Sequence, residues 1–152
     1  MDEDESLRRY GLRPSGAHLD EIRETLRTHA ALERRAQGEG DTELMRLCCV
    51  QLFNAGDLDD VLTIWDAKRS SWDADSSVDV QLLCGAGLEE TKAYLTTANP
   101  PEALAALDYL QLCEGGPATS RASLWSRGHV GTRTTTRIEQ RALPPACAIC
   151  VQ

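Results

Sequence analysis

The amino-acid sequence predicts an all-α protein. The expected architecture is a short right-handed α-solenoid of helical hairpins about 30 residues long, with an N-terminal capping helix and a largely disordered C-terminal tail. Three observations carry that expectation. A short motif recurs three times at an offset of 30 residues. Apolar residues around the copies fall at helical spacing, with helix-starting and helix-ending residues between them. The charge changes sign near Gly116, where the repeat phase is lost. The boundaries that follow are residues 1–40 for the cap, 41–116 for the repeats and 117–152 for the tail.

The first element is the cap. Leu19, Ile22, Leu26 and Ala30 line one face of an amphipathic helix over residues 17–36, with Glu21, Arg23, Arg27 and Arg34 on the others. Gly38 and Gly40 close it. A weaker helical signal lies within residues 1–12. Terminal units of a helical stack are often atypical because they cover its end, and this helix does not match the repeat.

The repeat begins with a gap-free alignment. Val50 to Asp60 matches Val80 to Glu90, and a further step of 30 residues reaches Leu110 to Gly116. Gln51, Gln81 and Gln111 fall in phase, as do Leu52, Leu82 and Leu112. In the first unit Asp41 is the expected N-cap, its carboxylate accepting from a free N–H at the helix start. Leu44, Leu47, Cys48 and Leu52 form the inner face. Ala55-Gly56 ends the helix, since glycine tolerates the left-handed position that follows one. Asp57 then caps a second helix, with Leu58, Val61, Leu62 and Trp65 on one face.

In the second unit Val78, Leu82 and Leu83 supply the inner face and Gly85 to Gly87 make the turn. Leu88-Glu-Glu90 repeats the Leu58-Asp-Asp60 start, and Leu95 takes the phase of Trp65. The third unit opens on Asn99-Pro-Pro-Glu102, a capping-box variant with Asn99 at N-cap, Pro100 at N1 and Glu102 at N3. Leu104, Leu107 and Leu110 form its expected face. Helices this short are marginal alone in water and depend on packing against neighbours.

Residues 41–116 resemble a HEAT-like or tetratricopeptide-like helical repeat. The small-small-x-Leu-acid-acid turn, Ala55 to Asp60 and Gly85 to Glu90, is similar to the shorter HEAT-like variants. The period of 30 residues departs from the tetratricopeptide period of about 34. What the resemblance implies is a stack of helix pairs that binds another protein.

Charge narrows the function. The 152 residues carry 16 Lys+Arg and 24 Asp+Glu, a net charge of −8. Residues 41–114 hold fourteen acids and four bases, whereas residues 115–152 hold one acid and five arginines. The acidic balance argues against nucleic acid as a partner. No apolar run approaches the length of a membrane span. Met1 to Glu5 is acidic where a secretory signal requires positive charge, so a cytoplasmic location and reduced cysteines are expected.

The expected function is a non-enzymatic protein-interaction module whose acidic surface binds a basic protein. Asp59, Asp60, Glu89 and Glu90 recur in phase and form an expected acidic ladder. Trp72 lies outside the apolar phase and is the expected aromatic contact, whereas Trp65 is expected in the core. Self-association is a further expectation if Leu107, Leu110 and Leu112 are left uncovered.

Chemistry has thinner support. Cys147 and Cys150 form a C-x-x-C with His129 upstream, three ligands where a closed zinc site needs four. An alternative reading, a metal-binding regulator or an enzyme, rests on these three residues; another takes the chain as a fragment of a longer helical-repeat protein. Asp73, Asp75 and Asp79 mimic the start of a calcium loop, but Val78 and Cys84 stand where it needs Gly and Glu. Neither a phosphate loop nor a recognisable nucleophile–base pair occurs, so no cofactor is expected.

Overall fold

The computed structural model describes residues 1–115. All regular structure among them is helical. The elements are α1 (Glu3–Tyr10), α2 (Ala17–Arg35), α3 (Thr42–Ala55), α4 (Asp60–Lys68), α5 (Trp72–Ser77), a 3-10 turn (Val80–Leu83), α6 (Leu88–Thr97) and α7 (Pro101–Gly115). Among the described residues no helix is long and apolar enough to cross a membrane. The chain's contacts divide after Asp108, and Met1–Asp108 is the first compact unit.

The core of the first unit is laid down by α2, α3 and α4. Ile22, Leu26 and Ala30 are buried along α2, and Leu44, Met45, Leu47, Cys48, Cys49 and Leu52 along α3. Val61, Ile64 and Trp65 are buried on α4. Each fully buried Leu, Ile or Val side chain contributes about 1.5–3 kcal/mol relative to exposure. Helix α2 lies against both α3 and α4, while α3 also packs on α1 and α5. The 3-10 turn packs on α3 and α4.

Caps fix where these helices begin. Asp2 accepts from the Glu5 N–H at 2.8 Å to start α1. The expected Asp41 cap is present, its Oδ1 accepting from the Leu44 N–H at 3.0 Å. Gly56 ends α3 at φ 72°, a left-handed position that side chains with a Cβ resist. Asp57 accepts from the Asp59 N–H at 3.0 Å within the turn before α4, but the N-cap of α4 is Asp59, without a side-chain cap bond, which corrects the expected Asp57 cap. The linker from α1 to α2 is pinned to α3: Gln51 Nε2 donates to the Gly11 carbonyl at 2.7 Å, and Asn54 Nδ2 to that of Leu12 at 2.8 Å.

The second copy of the sequence repeat departs from the first. Its leading helix is broken into α5 and the 3-10 turn at Val78-Asp79. Asp, Ser and β-branched Val over 73–80 are weak helix formers. The break is held by Lys68, whose Nζ donates to the carbonyls of Asp75 and Val78, both at 2.7 Å. The inner face shifts in consequence: Val78 and Leu83 are buried, but Leu82 is only half-buried. The turn after it sits tightly on α3. A Cβ on Gly85 would lie 2.5 Å from the Phe53 carbonyl oxygen, so this close approach of backbones requires glycine.

At the third copy of the sequence repeat α7 begins at Pro101, one residue later than the Asn99 signal implied. Its buried residues are Ala103, Ala106, Tyr109 and Leu110. Leu107 is half-buried and Leu104 is 57% exposed, which corrects the expected Leu104–Leu107–Leu110 face. Residues 117–152, the expected tail, lie outside the described residues.

Candidate interaction surface

The expected acidic ladder divides into exposed and enclosed members. Asp59 and Asp60 start α4, where negative charge suits the helix dipole, and Glu89 and Glu90 do the same for α6. Asp59, Glu89 and Glu90 are exposed. Glu89 also meets Lys92 at 3.1 Å, an exposed pair three residues apart and worth little. The Glu90 carboxylate folds back over Gly87.

Asp60 is not a surface acid. It is 2% exposed, and Arg23 holds it from two directions, Nε to Oδ1 at 2.7 Å and a terminal nitrogen to Oδ2 at 2.9 Å. This bidentate pair fastens α2 to the start of α4. Arg23 also reaches Asp20 at 2.9 Å and Asp57 at 3.0 Å. These partners, Asp60 first, hold the guanidinium above its ordinary range. The ladder therefore presents Asp59, Glu89 and Glu90, with Asp60 assigned to internal bonding.

Trp72 opens α5 and is 59% exposed, whereas Trp65 is buried as expected. The neighbourhood of Trp72 is fixed by polar contacts that the sequence did not signal. Ser71 caps α5 by accepting from the Ala74 N–H at 3.0 Å. Its own hydroxyl donates to Glu33 Oε2 at 2.6 Å. Asp73 accepts from Gln37 Nε2 at 2.9 Å, which ties the residue after Trp72 to the α2–α3 turn. Asp75, which resembled a calcium ligand, instead meets Lys68 Nζ at 3.1 Å and Arg69 at 3.5 Å.

Cys48 and Cys49 are fully buried thiols within α3. Burial pushes Cys48 up to about 12, with the Asp41 charge adding to the rise. Cys49 is raised as well, again by burial first. A protonated, enclosed thiol is neither a nucleophile nor a metal ligand. Tyr10 is raised by burial and then by its hydrogen bond to Glu21, to which its hydroxyl donates at 2.6 Å.

Among the described residues no group of three or more His, Cys, Asp or Glu side chains is placed to hold a metal. His129, Cys147 and Cys150 lie outside the described residues. A shallow depression of about 510 Å³ runs along α2, lined by Glu24, Arg27, Thr28, Ala31, Leu32 and Arg35.

Three residues central to this arrangement carry no motif: Arg23, Glu33 and Lys68. A helical wheel places Arg23 and Glu33 beside buried positions of α2, but their partners are 37 and 38 residues away. Compared with known proteins, the chain matches no protein family, no curated protein and no solved structure.

Proposed function

We propose that this chain is a protein-interaction module, a short right-handed stack of helical hairpins whose acidic surface binds a basic protein. The observation that carries the reading is the exposure of Asp59, Glu89 and Glu90 at two helix starts 30 residues apart. Alternate helices lying side by side, α2 with α4 and α3 with α5, support a stacked arrangement. Exposed Trp72 supplies an aromatic anchor of the kind that dominates interface energetics. The buried thiols of Cys48 and Cys49 suit the reducing cytoplasm.

A fluorescein-labelled oligolysine peptide serves as the probe, titrated with the full chain. Its affinity should fall at least about ten-fold between roughly 0.05 M and 0.5 M salt, as exposed charges become screened. Asp59→Asn, Glu89→Gln and Glu90→Gln together should lower the affinity at low salt. Trp72→Ala tests the anchor separately. Equal binding by the triple variant and the parent chain would sink the acidic-surface reading.

A further inference from the structure

The turn between α2 and α3 hangs on two side chains one helical turn apart. Glu33 is 1% exposed, and its Oε1 accepts from the N–H groups of Gly38 and Gly40, each at 2.9 Å. His29, four residues earlier, accepts from the Asp41 N–H through Nδ1 at 3.0 Å. Asp41 in turn caps α3. Three backbone donors of one turn thus rest on side-chain acceptors from one helix face.

The two acceptors differ in chemistry. A carboxylate offers lone pairs on both oxygens. An imidazole accepts at Nδ1 only while it is neutral, with its proton on Nε2. The Asp41 backbone N–H cannot reverse its role, so a second proton on the ring leaves two donors facing each other.

We propose that the α2–α3 turn is a proton-operated latch, closed by neutral His29 and opened when Nδ1 takes a proton from solvent. The ring is only half-buried, so water reaches it. The carboxylates beside it are Glu33 on α2 and Asp41 at the start of α3. Further along α3, Glu43 pairs with Arg46 at 3.0 Å, and the Cys48 thiol stays protonated. The acids that α4 turns toward α2, Asp60 and Asp66, are engaged by Arg23 and Arg34. From α5, Asp73 meets Gln37.

Two charge states of the ring are thereby accommodated. Neutral imidazole holds the Asp41 N–H. Imidazolium turns to the Asp41 carboxylate and competes with the Leu44 N–H for it, so α3 loses its cap as the latch opens. Gln37 belongs to the same turn and holds Asp73, next to Trp72. The latch stands whether or not Trp72 contacts a partner.

The test uses the full chain, labelled with ¹⁵N. A scalar coupling between Asp41 N and His29 Nδ1 reports the bond directly. It should be present at a pH where the ring ¹⁵N shifts report neutral imidazole and absent at one where they report imidazolium. Protection of the Leu44 amide from exchange, corrected for intrinsic rates, should fall about five-fold in step, the usual effect of losing an N-cap. The Leu52 amide should not change. In His29→Gln, whose side chain takes up no proton, Leu44 protection should be the same at both pH values. The latch is overturned by a coupling absent at the higher pH, by one that survives ring protonation, or by the same pH-dependent loss in the glutamine variant.

Discussion

Residues 41–68 and 71–97 carry one sequence pattern and build it in two ways. In both, a glycine turn followed by Leu and two acids starts a helix, and the in-phase pairs Val61 with Thr91 and Trp65 with Leu95 are buried alike. The helices before the turns differ. Thr42–Ala55 runs unbroken, with Cys48 and Cys49 at its centre. The corresponding stretch stops at Ser77 and resumes as a single 3-10 turn. The start of a helix is a local matter of caps and glycine. Its continuation depends on helix propensity and on which donors stand nearby to take up the carbonyls, and here a buried lysine does so.

Breaking that difference should begin at Lys68. Replacing it by methionine keeps the stem but leaves the carbonyls of Asp75 and Val78 without their donor and the Asp75 carboxylate with Arg69 alone. The expected cost is about 3–5 kcal/mol by urea denaturation. A cost below about 1 kcal/mol would mean that the ammonium does not shape the second region.

Gly85→Ala comes next, since its Cβ meets the Phe53 backbone. A loss of about 1–3 kcal/mol is expected, the range for forced overpacking. Ala55→Gly at the matching position of the first region is its control and should cost only about 0.5–1 kcal/mol. Equal losses at the two sites would remove the close approach as the reason for glycine.

The first region alone carries the buried thiols, so it should carry a distinct alkaline sensitivity. Folding raises both thiols above their ordinary value of 9.0. The unfolded chain therefore releases protons first, and stability is full below pH 9.0 and declines as pH rises toward about 12. The slope approaches about 1.4 kcal/mol per pH unit for each thiol. Replacing Cys48 and Cys49 by alanine should flatten this limb in thermal melts across the alkaline range, whatever it does at neutral pH. Tyr10, also raised, should leave a residual slope.

The smallest effect should come from the cap of the unbroken helix. Asp41→Ala is expected to cost about 1 kcal/mol. Ser71→Ala, at the corresponding cap of the broken one, should cost more, because it also removes the hydroxyl that Glu33 accepts from. Equal losses for the two variants in chemical denaturation would mean that Glu33 gains nothing from Ser71.

The helices that read clearly in the sequence are those whose signals are local. Asp41, Gly56 and Asp57 act within a few residues of themselves, and the apolar spacing of Ile22, Leu26 and Ala30 marks the buried face of α2. What did not read clearly depends on neighbours distant in the chain. Asp60 has the same local setting as Glu90, and only the approach of Arg23 from α2 turns it inward. Glu33 and Lys68 look like surface charges because nothing local marks the partners that hold them inside: a hydroxyl and two backbone N–H groups for Glu33, mainly backbone carbonyls for Lys68. Leu104 looked buried by type, but the small residues beside it are the ones enclosed.

Lys68 has a practical consequence as well. The chain contains only two lysines, and this one has no accessible surface. Amine-directed reagents should therefore find the Lys92 side chain while leaving Lys68 unmodified. A label found at Lys68 counts molecules that have opened, so the residue serves as a built-in tally of unfolding events.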